Sequence, residues 1–208
     1  MYWPSRHAHG FKETVMTGGA THRWGRADTF RRRGALGWND DVNCHCRGVG
    51  PNKHLAYAYI MMADGLPMVF YPDYFNGIVQ ASSDGGSGFA GGTISNYLTR
   101  LIWARSNFID GASTTYRATN AVTDLFIMER SGGAKDGCLL AINDNPSGGS
   151  LHNNVEVHWS AGTTLINVLD PSDTVSVSGS PPMAGVTVGP RTNKVYVNQA
   201  LYGSGPHP

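Results

Sequence analysis

Apolar residues follow three different rhythms along the chain. Leu55 to Ala63, LAYAYIMMA, is a short apolar block of good helix formers, and Gly65 follows where a helix should stop. Leu66 to Tyr71, LPMVFY, is short, β-rich and apolar throughout, which predicts a strand buried on both faces. Pro67 lies near its start, where proline is tolerated. A loop from Asn76 to Gly92 carries Gly77, Gly85, Gly86, Gly88, Gly91 and Gly92. A second helix is predicted from Thr93, a suitable N-cap, to Ile109. Its stripe at 3.6-residue spacing holds Ile94, Tyr97, Leu98, Leu101, Ile102, Phe108 and Ile109, with Arg105 the polar exception. Helix, buried strand, helix is the grammar of a parallel α/β sheet.

After Gly111 the period changes to two. Short strands are predicted near 113–118, 122–130, 137–143, 154–159, 164–169, 174–178, 185–189 and 193–199. Val155/Val157/Trp159, Val175/Val177, Val186/Val188 and Val195/Val197 alternate cleanly, so Trp159 is expected in a core. Turn residues separate them at Asp144-Asn145-Pro146, Gly148-Gly149, Asp170-Pro171 and Pro181-Pro182. This predicts an antiparallel sandwich of about 90 residues, long enough to bury its own core. The end of the chain from Tyr202 is expected to fray.

Residues 1–54 hold neither rhythm. They read as a disordered or loosely packed leader, or as what a GC-rich coding region yields in a wrong frame. Composition supports the division. The whole chain has a net charge of +1, 40% hydrophobic and 15% charged residues. Residues 1–54 carry nine basic and four acidic residues, whereas 55–208 carry seven and eleven. Three units are therefore expected: an irregular basic leader at 1–54, a helix–strand–loop–helix segment at 55–110, and a β-sandwich at 111–202. No apolar run is long enough to cross a membrane as a helix, and Met1 to Gly10 lacks the apolar core of a secretory signal.

The wording of one stretch is specific. Pro51-Asn52-Lys53-His54 followed by LAYAYIMMADGLPMVFYPDYFNG resembles the α-amylase family of glycoside hydrolases. In that family a similar helix precedes the eighth barrel strand. VTVGPRTNKVYV at 186–197 resembles the closing strands of the family's C-terminal domain. The resemblance, over about residues 50–200, implies a mixed α+β fold: the end of a (β/α)8 barrel followed by an antiparallel Greek-key β-sandwich. It also implies retaining hydrolysis of α-1,4-glucosidic bonds in starch-like glucans. That chemistry needs a nucleophilic and an acidic carboxyl group about 5–5.5 Å apart. The family carries them on strands upstream of the LAYAYIMM helix. A full barrel takes about 250 residues, so both are expected to be absent and the chain inactive alone. The 55–109 segment is then expected to be loose while 112–200 folds.

Candidate site residues follow from the same likeness. Arg26-Ala27-Asp28-Thr29-Phe30 looks like a damaged Asn-His-Asp-Thr-Phe motif, which makes Asp28 the candidate relic of the acid that stabilises the transition state. Tyr71 and Tyr74 are candidates for stacking on sugar, and Asp73 is given a structural role. No cofactor is visible. Calcium enters by resemblance only and falls on no residue. The expected partners are a glucan and the missing part of the barrel. Nucleic acid and membrane are not expected. The family is largely secreted. An accessory, carbohydrate-binding sandwich is the alternative reading.

Other clusters point elsewhere only weakly. Cys44-His45-Cys46 is too closely spaced for a good zinc chelate. Cys138 in a strand suits a buried filler. Arg31-Arg32-Arg33 has no interleaved aromatics, and the glycines at 85–92 precede no Gly-Lys-Ser/Thr.

Overall fold

A computed structural model describes residues 53–69, 74, 94–111, 113–116, 124–145 and 148–203. The elements, in chain order, are α1 (Lys53–Met62), α2 (Ile94–Phe108), β1 (Ser113–Tyr116), β2 (Leu125–Ser131), β3 (Cys138–Asn143), β4 (Leu151–Glu156), β5 (Thr164–Asn167), β6 (Asp170–Ser176), β7 (Met183–Val188), β8 (Thr192–Asn198) and the short α3 (Gln199–Tyr202). Six strands form one sheet in the order β1-β2-β3-β8-β5-β6, and β4 pairs with β7 in a second. Every pairing is antiparallel.

The central strands of the large sheet are buried on both faces, and the sequence alternation says which residue serves which face. Phe126, Met128, Leu140, Ile142, Val195 and Val197 point to one side, where they share a core with α1 and α2. Leu125, Ile127, Leu139, Ala141 and Tyr196 point to the other, against Val155, Ala184, Val186 and Val188 of the small sheet. The described residues thus form three layers: a helix pair, a six-stranded sheet and a two-stranded sheet. Central strands β2 and β3 are continuous in burial because neither face meets water. Strands β4 and β7 alternate because one of their faces is solvated.

Helix α1 is buried from His54 through to Ala63, which is why its sequence has no polar stripe. Helix α2 buries Tyr97, Leu98, Leu101, Ala104 and Phe108, a one-sided spacing of three and four. Ile102, assigned to the stripe from sequence, instead lies on the flank and is 38% exposed. Arg105 finds its partners at the end of α1. Its guanidinium donates to the carbonyls of Met61 (2.5 Å), Ala63 (2.9 Å) and Gly65 (2.6 Å). Met61 is in the last turn, whose carbonyls lack intrahelical donors, and Ala63 and Gly65 lie just beyond it. Gly65 takes φ +100°, so the chain turns away there at no Cβ cost.

The strand expected at 66–71 is not formed over its described part. Residues 66–69 belong to no sheet, Leu66 is 84% exposed and Met68 is 47% exposed. A strand apolar on both faces needs neighbours on both edges, and the described residues supply none. Two further boundaries move. The fourth strand runs 151–156 rather than 154–159, because His158 and Trp159 leave the ladder to meet side chains of β2 and the β2–β3 loop. The hairpin expected to turn at Asp170-Pro171 turns instead at Val168-Leu169. Pro171 then sits inside β6, which is tolerated because β6 is an edge strand.

Candidate functional site

Of the residues singled out from sequence, Asp28, Tyr71 and Asp73 lie outside the described residues. So do Cys44, His45, Cys46 and the 31–33 arginines. Tyr74 is described: its ring packs against the helix-side core and its hydroxyl is hydrogen-bonded to Thr99 Oγ1 of α2 at 2.9 Å. Trp159 is buried between the two sheets, as its alternation predicts. Cys138 is buried, with Sγ 3.6 Å from Met62 Sδ. Burial pushes its thiol up to about 12, against the pull of Arg130 and Arg105, so it stays protonated and inert.

The structure gathers polar chemistry at four places. The first lies where α1 and α2 meet β8. Tyr97 OH is within donating distance of the His54 carbonyl (2.7 Å) and of Asn193 Oδ1 (2.8 Å). His54 Nε2–H donates to the Arg191 carbonyl at 2.8 Å. Burial keeps the Tyr97 phenol well above its ordinary value and His54 below its own. Asn193 Nδ2 finds no partner among the described residues.

The second lies on the helix side of β2. Arg130, almost wholly buried, donates to the Asp64 carboxylate beyond α1 and to the Gly111 carbonyl. Asp110 accepts from the backbone N–H groups of Ala134 (3.2 Å) and Lys135 (3.0 Å), and Lys135 Nζ donates to the Ser106 carbonyl. The β2–β3 loop is thereby fixed to the end of α2.

The third lies on the opposite face of β2. Glu129 accepts from the backbone N–H of His158 at 2.8 Å and from its ring Nδ1. His158 Nε2–H donates to the Asp136 carbonyl at 2.8 Å, and Trp159 Nε1–H to the Asp136 carboxylate at 2.7 Å.

The fourth is a loop pair, Asp124 and Asp144. Burial first, and then the charge of Asp124, push the Asp144 carboxyl up to about 6. Asn145 Nδ2 donates to Asp124 at 3.0 Å, while Asn145 Oδ1 accepts from Gly148 N–H, so this pair is built into a turn.

The sequence reading missed the pair Glu129 and Arg130. The signal was present: two opposite charges close an otherwise apolar strand, LFIMERS, whose both faces are buried. Among the described residues no three His, Cys, Asp or Glu side chains gather where a metal ion could be held. No helix among them is long and apolar enough to cross a membrane.

In sequence, no family model and no curated protein matches the chain. Likeness appears in three dimensions. CldA, a cyclomaltodextrin glucanotransferase with a three-domain ABC distribution, matches with a TM-score of 0.53 at 21% identity, over 71% of this chain and 32% of its own. The gamma-cyclomaltodextrin glucanotransferase of alkalophilic Bacillus clarkii matches with 0.53 at 19% identity, over 73% of this chain and 23% of its own. An α-amylase from Malbranchea cinnamomea matches with 0.54 at 12% identity, over 75% of this chain and 34% of its own. The chain spans about a third or less of the length of these enzymes. At such identities the likeness is one of fold: the chain has an α-amylase-like fold, mixed α and β with antiparallel sheets.

Proposed function

We propose that this chain is a C-terminal portion of an α-amylase-type glycoside hydrolase, comprising the end of the barrel and an antiparallel Greek-key sandwich. In this reading it serves hydrolysis of α-1,4-glucosidic bonds in starch-like glucans, with the nucleophile and general acid supplied by the rest of the barrel. One observation carries it. Two helices dock on a sandwich, and the apolar segment that leaves the first of them is in no sheet, with Leu66 84% exposed and Met68 47% exposed. Parallel neighbours on both sides are what such a segment lacks. Tyr71 and Tyr74 would then stand near the strand end where barrel enzymes place their sites. Asp28 would be the relic of the third carboxylate. Calcium belongs to this reading only through the family likeness and is assigned to no residue.

The 208-residue chain by itself is expected to release no reducing ends from soluble starch. A pull-down with insoluble starch, run beside that assay, separates the readings. Retention on starch without turnover favours the accessory-module alternative, and clear turnover by the pure chain overturns both. A positive check uses the exposed segment. Leu66→Ser with Met68→Ser should change folding stability by no more than about 0.5 kcal/mol while reducing self-association in sedimentation. A large loss of stability would mean the segment is already packed, which contradicts the proposal.

A further inference from the structure

Glu129 is wholly buried, on the face of β2 that looks toward the small sheet. His158, in the connection that follows β4, reaches it twice: through its backbone N–H and through ring Nδ1. The other ring nitrogen, Nε2, meets the Asp136 carbonyl of the β2–β3 loop at 2.8 Å. The Trp159 ring lies over the imidazole with centroids 4.0 Å apart, and its N–H is held by the Asp136 carboxylate.

We propose that Glu129, His158 and Asp136 form a pH-operated latch that clamps the β4–β5 connection to the six-stranded sheet, closed with a doubly protonated imidazole and opened when the ring is neutral. The geometry makes the first argument. Both ring nitrogens face oxygen acceptors, a carboxylate and a carbonyl. A neutral imidazole has one N–H and one lone pair, so it can serve only one of them. The imidazolium serves both. Charge makes the second argument. A buried carboxylate is stabilised by a neighbouring positive charge, and the protonated ring adds one.

Among the described residues, the titratable groups facing the ring are Glu129 from β2 and Asp136 from the β2–β3 loop. Arg130, the next residue of β2, faces the helices and Asp64 instead. Burial disfavours the charged ring, but the Glu129 hydrogen bond and charge, followed by those of Asp136, outweigh it and raise His158 above its ordinary 6.5. The sign follows. The latch contributes fully below that ordinary value and is lost as pH rises through the raised one. On losing its proton the ring must release either Glu129 or the Asp136 carbonyl, and Trp159 loosens with it.

The test uses the full chain labelled with 15N at histidine. Long-range proton–nitrogen spectra between pH 5 and 9 report whether each His158 nitrogen carries a proton. Exchange of the Trp159 indole N–H, corrected for its intrinsic pH dependence, reports the latch, with Trp159→Phe used to assign the resonance. The expected result is a doubly protonated ring at pH 5 to 6, and an indole protection that falls severalfold as His158 titrates. In His158→Gln, protection should no longer depend on pH. If that variant does not fold, the wild-type titration decides alone. A neutral ring with bare Nδ1 at pH 6, or indole protection flat across the titration, overturns the proposal.

Discussion

Replacing Tyr97 by phenylalanine removes one oxygen from the junction of all the helix layer with the central strand β8. The hydroxyl stands 2.7 Å from the His54 carbonyl in the first turn of α1 and 2.8 Å from Asn193 Oδ1 in β8. Its single proton is shared between the two acceptors. The ring shape survives, and so does the edge contact with the His54 ring. What is lost is a buried hydrogen bond, and the Asn193 amide oxygen is left without this donor in a site closed to water. A bond of this kind contributes about 0.5–1.5 kcal/mol, and an orphaned buried acceptor costs about 1–3 kcal/mol. Asn193 already has an unpartnered Nδ2, so it has little to fall back on. We expect a loss of about 2 kcal/mol, near the middle of those ranges. Urea denaturation should give that value, and native-state amide exchange should locate it. If helices and sheets share one cooperative core, the slowest amides of β3 and β8 lose about 30-fold in protection together with those of α1 and α2. If α1 and α2 are a loose appendage, only residues 54–62 and 94–108 lose protection while Leu140 and Val195 keep theirs. That second result would refute the three-layer reasoning.

Asp144→Asn tests the loop pair. Asp144 in the folded chain holds its proton up to about 6, against an ordinary 3.8, so the folded state binds more protons between those values. Stability should therefore fall as pH rises from about 4 to about 6. The amide should flatten that slope and raise stability at pH 7 by about 1 kcal/mol, a figure discounted for the partial exposure of the site. Urea midpoints across pH 4 to 8 check both. Two glycines of similar backbone conformation separate strain from space. Gly162, at φ +94°, has no atom within 4 Å of where a Cβ would stand, so Gly162→Ala should cost only its backbone strain, about 1–2 kcal/mol. Gly137, at φ +92°, would place that Cβ 2.1 Å from the Arg130 carbonyl oxygen. Gly137→Ala should therefore cost about 3 kcal/mol or more, and equal thermal shifts for the two would remove the steric argument.

How much of this was legible varies with what each residue had to declare. Val186 and Val188 alternate with polar residues because one face of β7 is wet, so their strand could be placed closely. Leu139 to Ile142 are apolar without a break because β3 is buried on both faces. That pattern reveals burial but not which layer each side chain meets. LPMVFY carries the same pattern, yet residues 66–69 pair with nothing among the described residues. An apolar run states a need for neighbours and cannot state that they are there. Arg105 stood out in the stripe of α2 as an exception, but its targets are carbonyls at and just beyond the end of α1, some 40 residues away. Backbone acceptors leave no mark in a sequence. His158 was invisible for a related reason. Its partners Glu129 and Asp136 are 29 and 22 residues away, and only the fold brings them to it. Asp28 and Tyr71 lie outside the described residues, so the site suggested by the family likeness rests on Tyr74 alone.

Glu129 and Arg130 show why the expected boundary near residue 110 is not a boundary in energy. They are consecutive in β2, so the pleat sends them to opposite faces. Glu129 grips the connection after β4, and Arg130 grips Asp64 beyond α1 and the Gly111 carbonyl after α2. One dipeptide therefore ties all three layers together. Both charges are nearly or wholly buried, and truncating one partner of such a pair costs about 3–5 kcal/mol because the other is stranded. Arg130 is less exposed to that risk than Glu129, since Asp64 is well solvated and water can replace it. On the other side of β2 the His158 side chain is 31% exposed, whereas Glu129 has no exposed surface. The imidazole thus helps hold the connection after β4 against the buried Glu129, while the helices are held chiefly by apolar contact with β2, β3 and β8.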